Sequence, residues 1–113
     1  KINDTNGHVV GDECIKGLVN ILQNNLRKID YIGRYGGDEF IIILPNTNLD
    51  EGKKIAEKLR QKVSQSSSPK ITISIGLSCY PENGLTTVEL IEKADNGLYS
   101  AKRKGRNMVS CGT

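Results

Sequence analysis

Tryptophan is absent from the 113 residues, phenylalanine occurs once and tyrosine four times. A chain so poor in rings has few platforms for stacking bases, which argues against a single-strand nucleic-acid binder. Charge of one sign is also scarce: the net charge is +3, the pI is near 8.8, and no long basic run is present. That balance does not suggest a protein that coats duplex DNA or RNA. The three cysteines, Cys14, Cys79 and Cys111, are odd in number and widely spaced, with no CxxC pair and no Cys/His cluster. Zinc sites and disulfide frameworks are poor choices for such a pattern, and a reduced, cytoplasmic setting suits it best. No apolar stretch approaches the ~20 residues that cross a bilayer, so no membrane contact is expected from this segment. The chain opens with Lys1-Ile2-Asn3-Asp4, without an initiator Met or a signal peptide. It is expected to be one domain, cut from something longer.

What is present is strong periodicity. Residues 1–12 are rich in Gly, Asn and Asp and read as a loop or helix end. Ile15, Leu18, Val19, Leu22, Leu26 and Ile29 then form one helical stripe. Tyr31 to Tyr35 reads as a short strand and Gly36-Gly37 as a turn. Phe40 to Leu44 is an unbroken apolar run ended by Pro45, as expected of a strand buried on both faces. Asn48 and Glu51 resemble a capping box ahead of a helix carrying Ile55, Ala56, Leu59 and Val63. Residues 64–69 read as a loop. Ile71, Ile73, Ile75 and Leu77 alternate with Thr72, Ser74 and Gly76, which predicts a strand with one oily face. Thr86 and Glu89 suit another helix start, with Leu90, Ile91, Ala94, Leu98 and Ala101 as its stripe, Gly105 as its stop and residues 108–111 as a last edge strand. Helix, hairpin, helix, strand, helix and edge strand, with one further strand at the front, make a ferredoxin-like α+β sandwich.

Arg34-Tyr35-Gly36-Gly37-Asp38-Glu39-Phe40 is the segment richest in chemistry. Two glycines leave a bare, tight turn that lets a bulky ligand approach the backbone. Two adjacent acids stand there, directly before a rigid strand. Hard divalent cations want such oxygen ligands, and phosphoryl and nucleotidyl transfer need such cations. The plain alternative is a solvated hairpin tip, where Gly, Asp and Glu are common.

Gly36 to Phe40 resembles, letter for letter, the signature of the GGDEF family of diguanylate cyclase domains. Residues 3–12, Asn-Asp-Thr-Asn-Gly-His-Val-Val-Gly-Asp, resemble that family's N-D-x-x-G-H-x-x-G-D segment, and residues 101–107, Ala-Lys-Arg-Lys-Gly-Arg-Asn, its closing A-K-x-x-G-R-N. The resemblance spans residues 1–113. It implies an antiparallel-rich sheet covered by helices, of the nucleotide-cyclase and polymerase-palm type. It also implies that the first strand, with a metal-binding aspartate and carbonyl, lies upstream of Lys1, so that the sheet lacks a strand, a central one, and the isolated segment is expected to be inactive, partly open or rescued by a second chain.

The implied reaction joins two GTP into cyclic di-GMP and pyrophosphate, with two Mg²⁺ (or Mn²⁺) per site and a second such domain facing the first as a homodimer. By the resemblance Asp38 binds metal and takes the proton of the 3′-hydroxyl, Glu39 assists at the metals, and Gly36 and Gly37 line the substrate. Asn3 and Asp12 hold the guanine edge, a role their donors and acceptors suit; the local alternatives are a turn residue and a helix-start acid. His8 lies between them and shapes the pocket or simply serves the turn. Lys102 and Arg106, whose spacing of four is expected to put them on one side at a helix end, match the triphosphate contacts, or merely complement a helix C-terminus. Arg27 and Asp30 resemble the family's RxxD product-inhibition site, with Lys58 at the position where the family often has arginine; as a bare pattern they are an i,i+3 surface pair. Two other classes remain: a non-catalytic module that binds GTP or cyclic di-GMP as a receptor, and an unrelated ferredoxin-like interaction domain.

Overall fold

A computed structural model describes residues 2–4, 12–36, 39–67 and 71–111, with the backbone alone at 2–4, 12, 13 and 36. In chain order the elements are β1 (Ile2–Asp4), α1 (Asp12–Asn24), β2 (Tyr31–Gly36), β3 (Glu39–Ile43), α2 (Leu49–Ser66), β4 (Ile73–Leu77), α3 (Thr87–Arg103) and β5 (Val109–Cys111). The five strands form one sheet in the order β2-β3-β1-β4-β5. β1 runs antiparallel to both β3 and β4, β2 antiparallel to β3, and β5 parallel to β4. The first four strands thus have the ferredoxin-like order, with β5 added at one edge.

Helices α1 and α2 cover one face. Leu18 and Leu22 of α1 and Ala56, Leu59 and Val63 of α2 pack on Phe40, Ile71, Ile73 and Ile75, and this is the main core. Both expected capping boxes form. The Asn48 side chain accepts from the Glu51 amide and Glu51 reaches back to the Asn48 amide, and Thr86 and Glu89 do the same for α3. These reciprocal bonds satisfy amides that have no partner inside the helix.

Five features depart from the sequence expectations. Residues 2–4, expected in a loop or helix end, pair on both sides in the centre of the sheet. The first helix stops at Asn24, so Ile29 is off its stripe and 58% exposed; the Asn25 side chain donates to the Ile21 carbonyl and takes the place of a continuing helical amide. The second helix runs three residues into the expected loop, to Ser66. The fourth strand is buried on both faces rather than one: Ser74 has no exposure, and a Cβ on Gly76 would stand 1.9 Å from the Ala94 carbonyl oxygen. Only a glycine lets α3 lie this close to the sheet. Conversely, β3 is not buried on both faces. Phe40 is in the core, but Ile43 is 53% exposed, because α3 packs over β4 and β5 and leaves the β2–β3 half of that face open. A trough of about 710 Å³ remains there, walled by Tyr31, Ile41, Ile43, Leu90 and Ile91 among others.

Candidate active site

Chain direction decides what meets at each end of the sheet. β2 runs toward the hairpin and β3 away from it, with Gly36 paired to Glu39, so the connection is the two residues Gly37 and Asp38. Between Arg34 and Gly36 the register shifts, which makes Tyr35 a bulged residue. A bulge here bends β2 and raises its twist in its last residues. Gly37, Asp38 and His8 lie outside the described residues.

Glu39 is half-buried at the first position of β3. Its backbone is in register with Asn3, and Asn3 with Ser74 of β4. Three adjacent strands therefore carry Glu39, Asn3 and Ser74 in one row, with ~5 Å between neighbouring backbones. α1 begins at Asp12 at this same end, since it must run back to deliver the chain to Tyr31 at the far end of β2. α3 also terminates here. Lys104 caps it, Gly105 has φ +123°, and the Arg106 amide donates to the Ala101 carbonyl at 2.9 Å. This is the 6→1 bond of a Schellman ending. The Asn107 amide then donates to Ser74 Oγ at 3.1 Å and pins the turn to the sheet row.

The hairpin, Asn3, the start of α1 and the Lys102–Asn107 segment are thus gathered at one end of the molecule. One expectation about them changes. Lys102 lies in the last turn of α3, but Arg106 is two residues past its cap, at φ +65°, so the two do not share a helical face. Glu39 sets one hard oxygen donor at the start of β3, and carboxylates as a class suit Mg²⁺ or Mn²⁺ better than softer ions. Among the described residues no group of three His, Cys, Asp or Glu side chains stands together. The large trough holds neither Lys102 nor Arg106 and is walled chiefly by apolar groups.

The other expected site lies at the opposite end. Arg27 and Asp30 sit in the connection between α1 and β2. Arg27 Nη2 donates to Asp30 Oδ1 at 2.7 Å, to the Pro45 carbonyl at 3.0 Å and to Thr47 Oγ1 at 2.8 Å, and Nε donates to both Asp30 oxygens. The Arg27 amide also donates to Asp30 Oδ2. These bonds from Arg27 hold the Asp30 carboxyl below its usual range, and the same pairing raises the guanidinium. Arg27 is therefore a brace between two loops as well as an exposed cation. Lys58 is exposed in the middle of α2, with no hydrogen bond or ion pair to Arg27 or Asp30. No helix among the described residues is long and apolar enough to cross a membrane.

Sequence reasoning did not find Arg60 of α2, whose Nη1 donates to Asn107 Oδ1 at 2.9 Å. The two are 47 residues apart, and no local pattern announces the contact.

Known proteins share both the sequence and the fold. The family model described as "Diguanylate cyclase, GGDEF domain" matches residues 1–108. The response regulator PleD of Caulobacter vibrioides is 44% identical over 117 residues, which cover 96% of this chain and 26% of PleD. Diguanylate cyclase DgcM of Escherichia coli is 42% identical, over 96% of this chain and 27% of its own length. The chain thus spans about a quarter of the length of these two relatives. Among solved structures, the active GGEEF domain of a diguanylate cyclase from Vibrio cholerae superposes with a TM-score of 0.80 at 28% identity, covering 99% of this chain and 80% of that one. The GGDEF domain of DgcB from Caulobacter crescentus, solved with cyclic di-GMP, superposes with a TM-score of 0.81 at 28% identity, covering 96% and 73%.

Proposed function

This chain belongs to the GGDEF family of diguanylate cyclase domains, and on that premise we propose that the protein condenses two GTP molecules into cyclic di-GMP. Each copy binds one GTP at the hairpin end of its sheet. Asn3 and Asp12 take the guanine edge, where matched donors and acceptors reject adenine by leaving buried partners unpaired. Lys102 and Arg106 take the triphosphate, and the bare Gly36-Gly37 turn admits it close to the backbone. Asp38 accepts the proton as the 3′-oxygen of one GTP bonds to the α-phosphorus of the other; the bond from that phosphorus to the pyrophosphate oxygen breaks, and pyrophosphate leaves with the electron pair. Two divalent cations held by Asp38 and Glu39 would supply charge neutralisation at the reacting phosphate and keep the Asp38 carboxyl ionised. Because each domain holds one GTP, two copies face each other for each product, which closes when the second bond forms in the same way. A nucleoside triphosphate substrate puts this chemistry in the cytoplasm.

The observation that carries the reading is the gathering of the acidic hairpin, Asn3, the α1 start and the Schellman turn at one sheet end. Arg27, Asp30 and Lys58 form the inhibitory site for the product: Asp30, Pro45 and Thr47 take Nε and Nη2 of Arg27 and hold in place a half-exposed guanidinium, a charge that suits a guanine or phosphate edge. Lys58 offers charge without a fork, so the product is held less firmly than by a second arginine.

Incubating the full-length protein with GTP and Mg²⁺, and separating the products by chromatography, tests the activity. Cyclic di-GMP with two pyrophosphates per product is expected. GTP bound but unchanged would instead make the protein a receptor, and no nucleotide binding at all would leave only an interaction domain.

A further inference from the structure

Arg106 and Asn107 both have left-handed backbones, at φ +65° and +49°, directly after Gly105 at +123°. A non-glycine residue rarely adopts that region, and two in succession persist only where neighbouring structure over-determines them. Two side chains from different elements do so here. Ser74 of β4, fully buried, accepts the Asn107 amide. Arg60 of α2 donates from Nη1 to Asn107 Oδ1 at 2.9 Å, with the Asn107 carbonyl within 3.5 Å of the same nitrogen. Arg60 is itself fixed, because Glu57, one turn earlier on α2, accepts from its Nε and pairs with its guanidinium. The Arg60 side chain is only 19% exposed, so it is packed in place rather than waving in solvent.

We propose that Arg60 is a positioning residue for phosphate binding: it locks Asn107, and through Asn107 sets the backbone from which Arg106 reaches the GTP triphosphate. The inference rests on the role assigned above to Arg106 and adds the device that orients it. The planar fork matters, since one guanidinium serves Glu57 through one edge and Asn107 through another, which a lysine cannot do. The left-handed turn also explains how a residue beyond the helix can approach the hairpin row, to which Ser74 belongs. Arg60 touches no reacting atom; its effect on nucleotide passes entirely through the turn.

The test measures GTP affinity by calorimetry on the full-length protein and the variants Arg60→Ala, Arg60→Lys, Asn107→Gly, Arg106→Ala and the double variant Arg60→Ala/Arg106→Ala, with folding checked by circular dichroism and melting. Arg106→Ala is expected to weaken GTP binding about tenfold, the loss of one charge-assisted contact. Arg60→Ala should weaken it severalfold, Arg60→Lys should fail to restore it, and Asn107→Gly, which tolerates the backbone but loses the bond, should match Arg60→Ala. The double variant should be no worse than Arg106→Ala alone, since the two act in series. Full affinity in Arg60→Ala and Asn107→Gly beside a weakened Arg106→Ala would overturn the inference and leave the phosphate role intact. So would losses from Arg60→Ala and Arg106→Ala that simply multiply. Full affinity in Arg106→Ala would instead overturn the phosphate role and the inference with it.

Discussion

Asp30 is the residue whose environment is most completely described. Its carboxylate takes the Arg27 guanidinium and the Arg27 amide, and these depress its pKa below the ordinary value of 3.8. A carboxyl that titrates lower in the folded chain adds stability above its unfolded pKa and loses it as pH falls through the folded one. Asp30→Asn should therefore lower the urea midpoint at pH 7, and the gap to the unaltered protein should narrow as pH drops below 3.8; a gap independent of pH would count against the pairing. Lys58 offers a second residue-level check. Lys58→Arg supplies a fork at the product site and should lower the cyclic di-GMP concentration for half-inhibition by up to about tenfold, the equivalent of one added charge-assisted bond. Inhibition curves with and without the substitution decide it. At this scale the sequence was informative where a pairing follows from local spacing, as for Arg27 and Asp30. It was silent on Arg60, whose contact with Asn107 exists only once α2 and the α3 ending are folded together.

At the scale of elements, the helices were largely legible because each is announced locally. Both capping boxes arise from two residues three apart, and Asn48→Ala should cost about 1 kcal/mol of stability in denaturant titration. Termini were harder: the stripe through Ile29 kept its period past Asn24, where the Asn25 side chain had already replaced the helical pattern. Strand burial was harder still, because it depends on what lies across the sheet. Alternation in β4 suggested one covered face, yet the small residues Ser74 and Gly76 mark the face on which α3 lies nearest. The run in β3 suggested two covered faces, yet α3 stops short of it and leaves Ile43 exposed. Gly76→Ala should destabilise by about 1–3 kcal/mol, since the added methyl meets backbone atoms of α3 that cannot move independently; a melting curve unchanged by this substitution would contradict the packing described.

At the scale of the molecule, the sheet separates two ends. The hairpin, the Asn3 row and the Schellman turn gather at one, and the Arg27–Asp30 brace closes the other. On the proposed reading, product held at the second end restrains the protein without occupying the first. Arg27→Ala should accordingly leave initial turnover within about twofold while relieving inhibition by cyclic di-GMP; because Arg27 also ties Pro45 and Thr47 to the α1–β2 connection, it should lower the melting temperature as well. The sequence blocks around Asn3, Gly36 and Lys102 pointed to the same end because chain direction in a ferredoxin-like sheet brings them there. The position of Arg106 beyond the helix was not legible, since it depends on a left-handed turn that Ser74 and Arg60 hold from a distance. The most direct measurement compares GTP turnover and GTP affinity in the full-length protein and its Asp38→Ala variant. If the acidic hairpin performs the chemistry, turnover falls by at least about 100-fold while GTP still binds and the melting temperature stays close to that of the unaltered protein. Turnover at an undiminished rate in Asp38→Ala would contradict it.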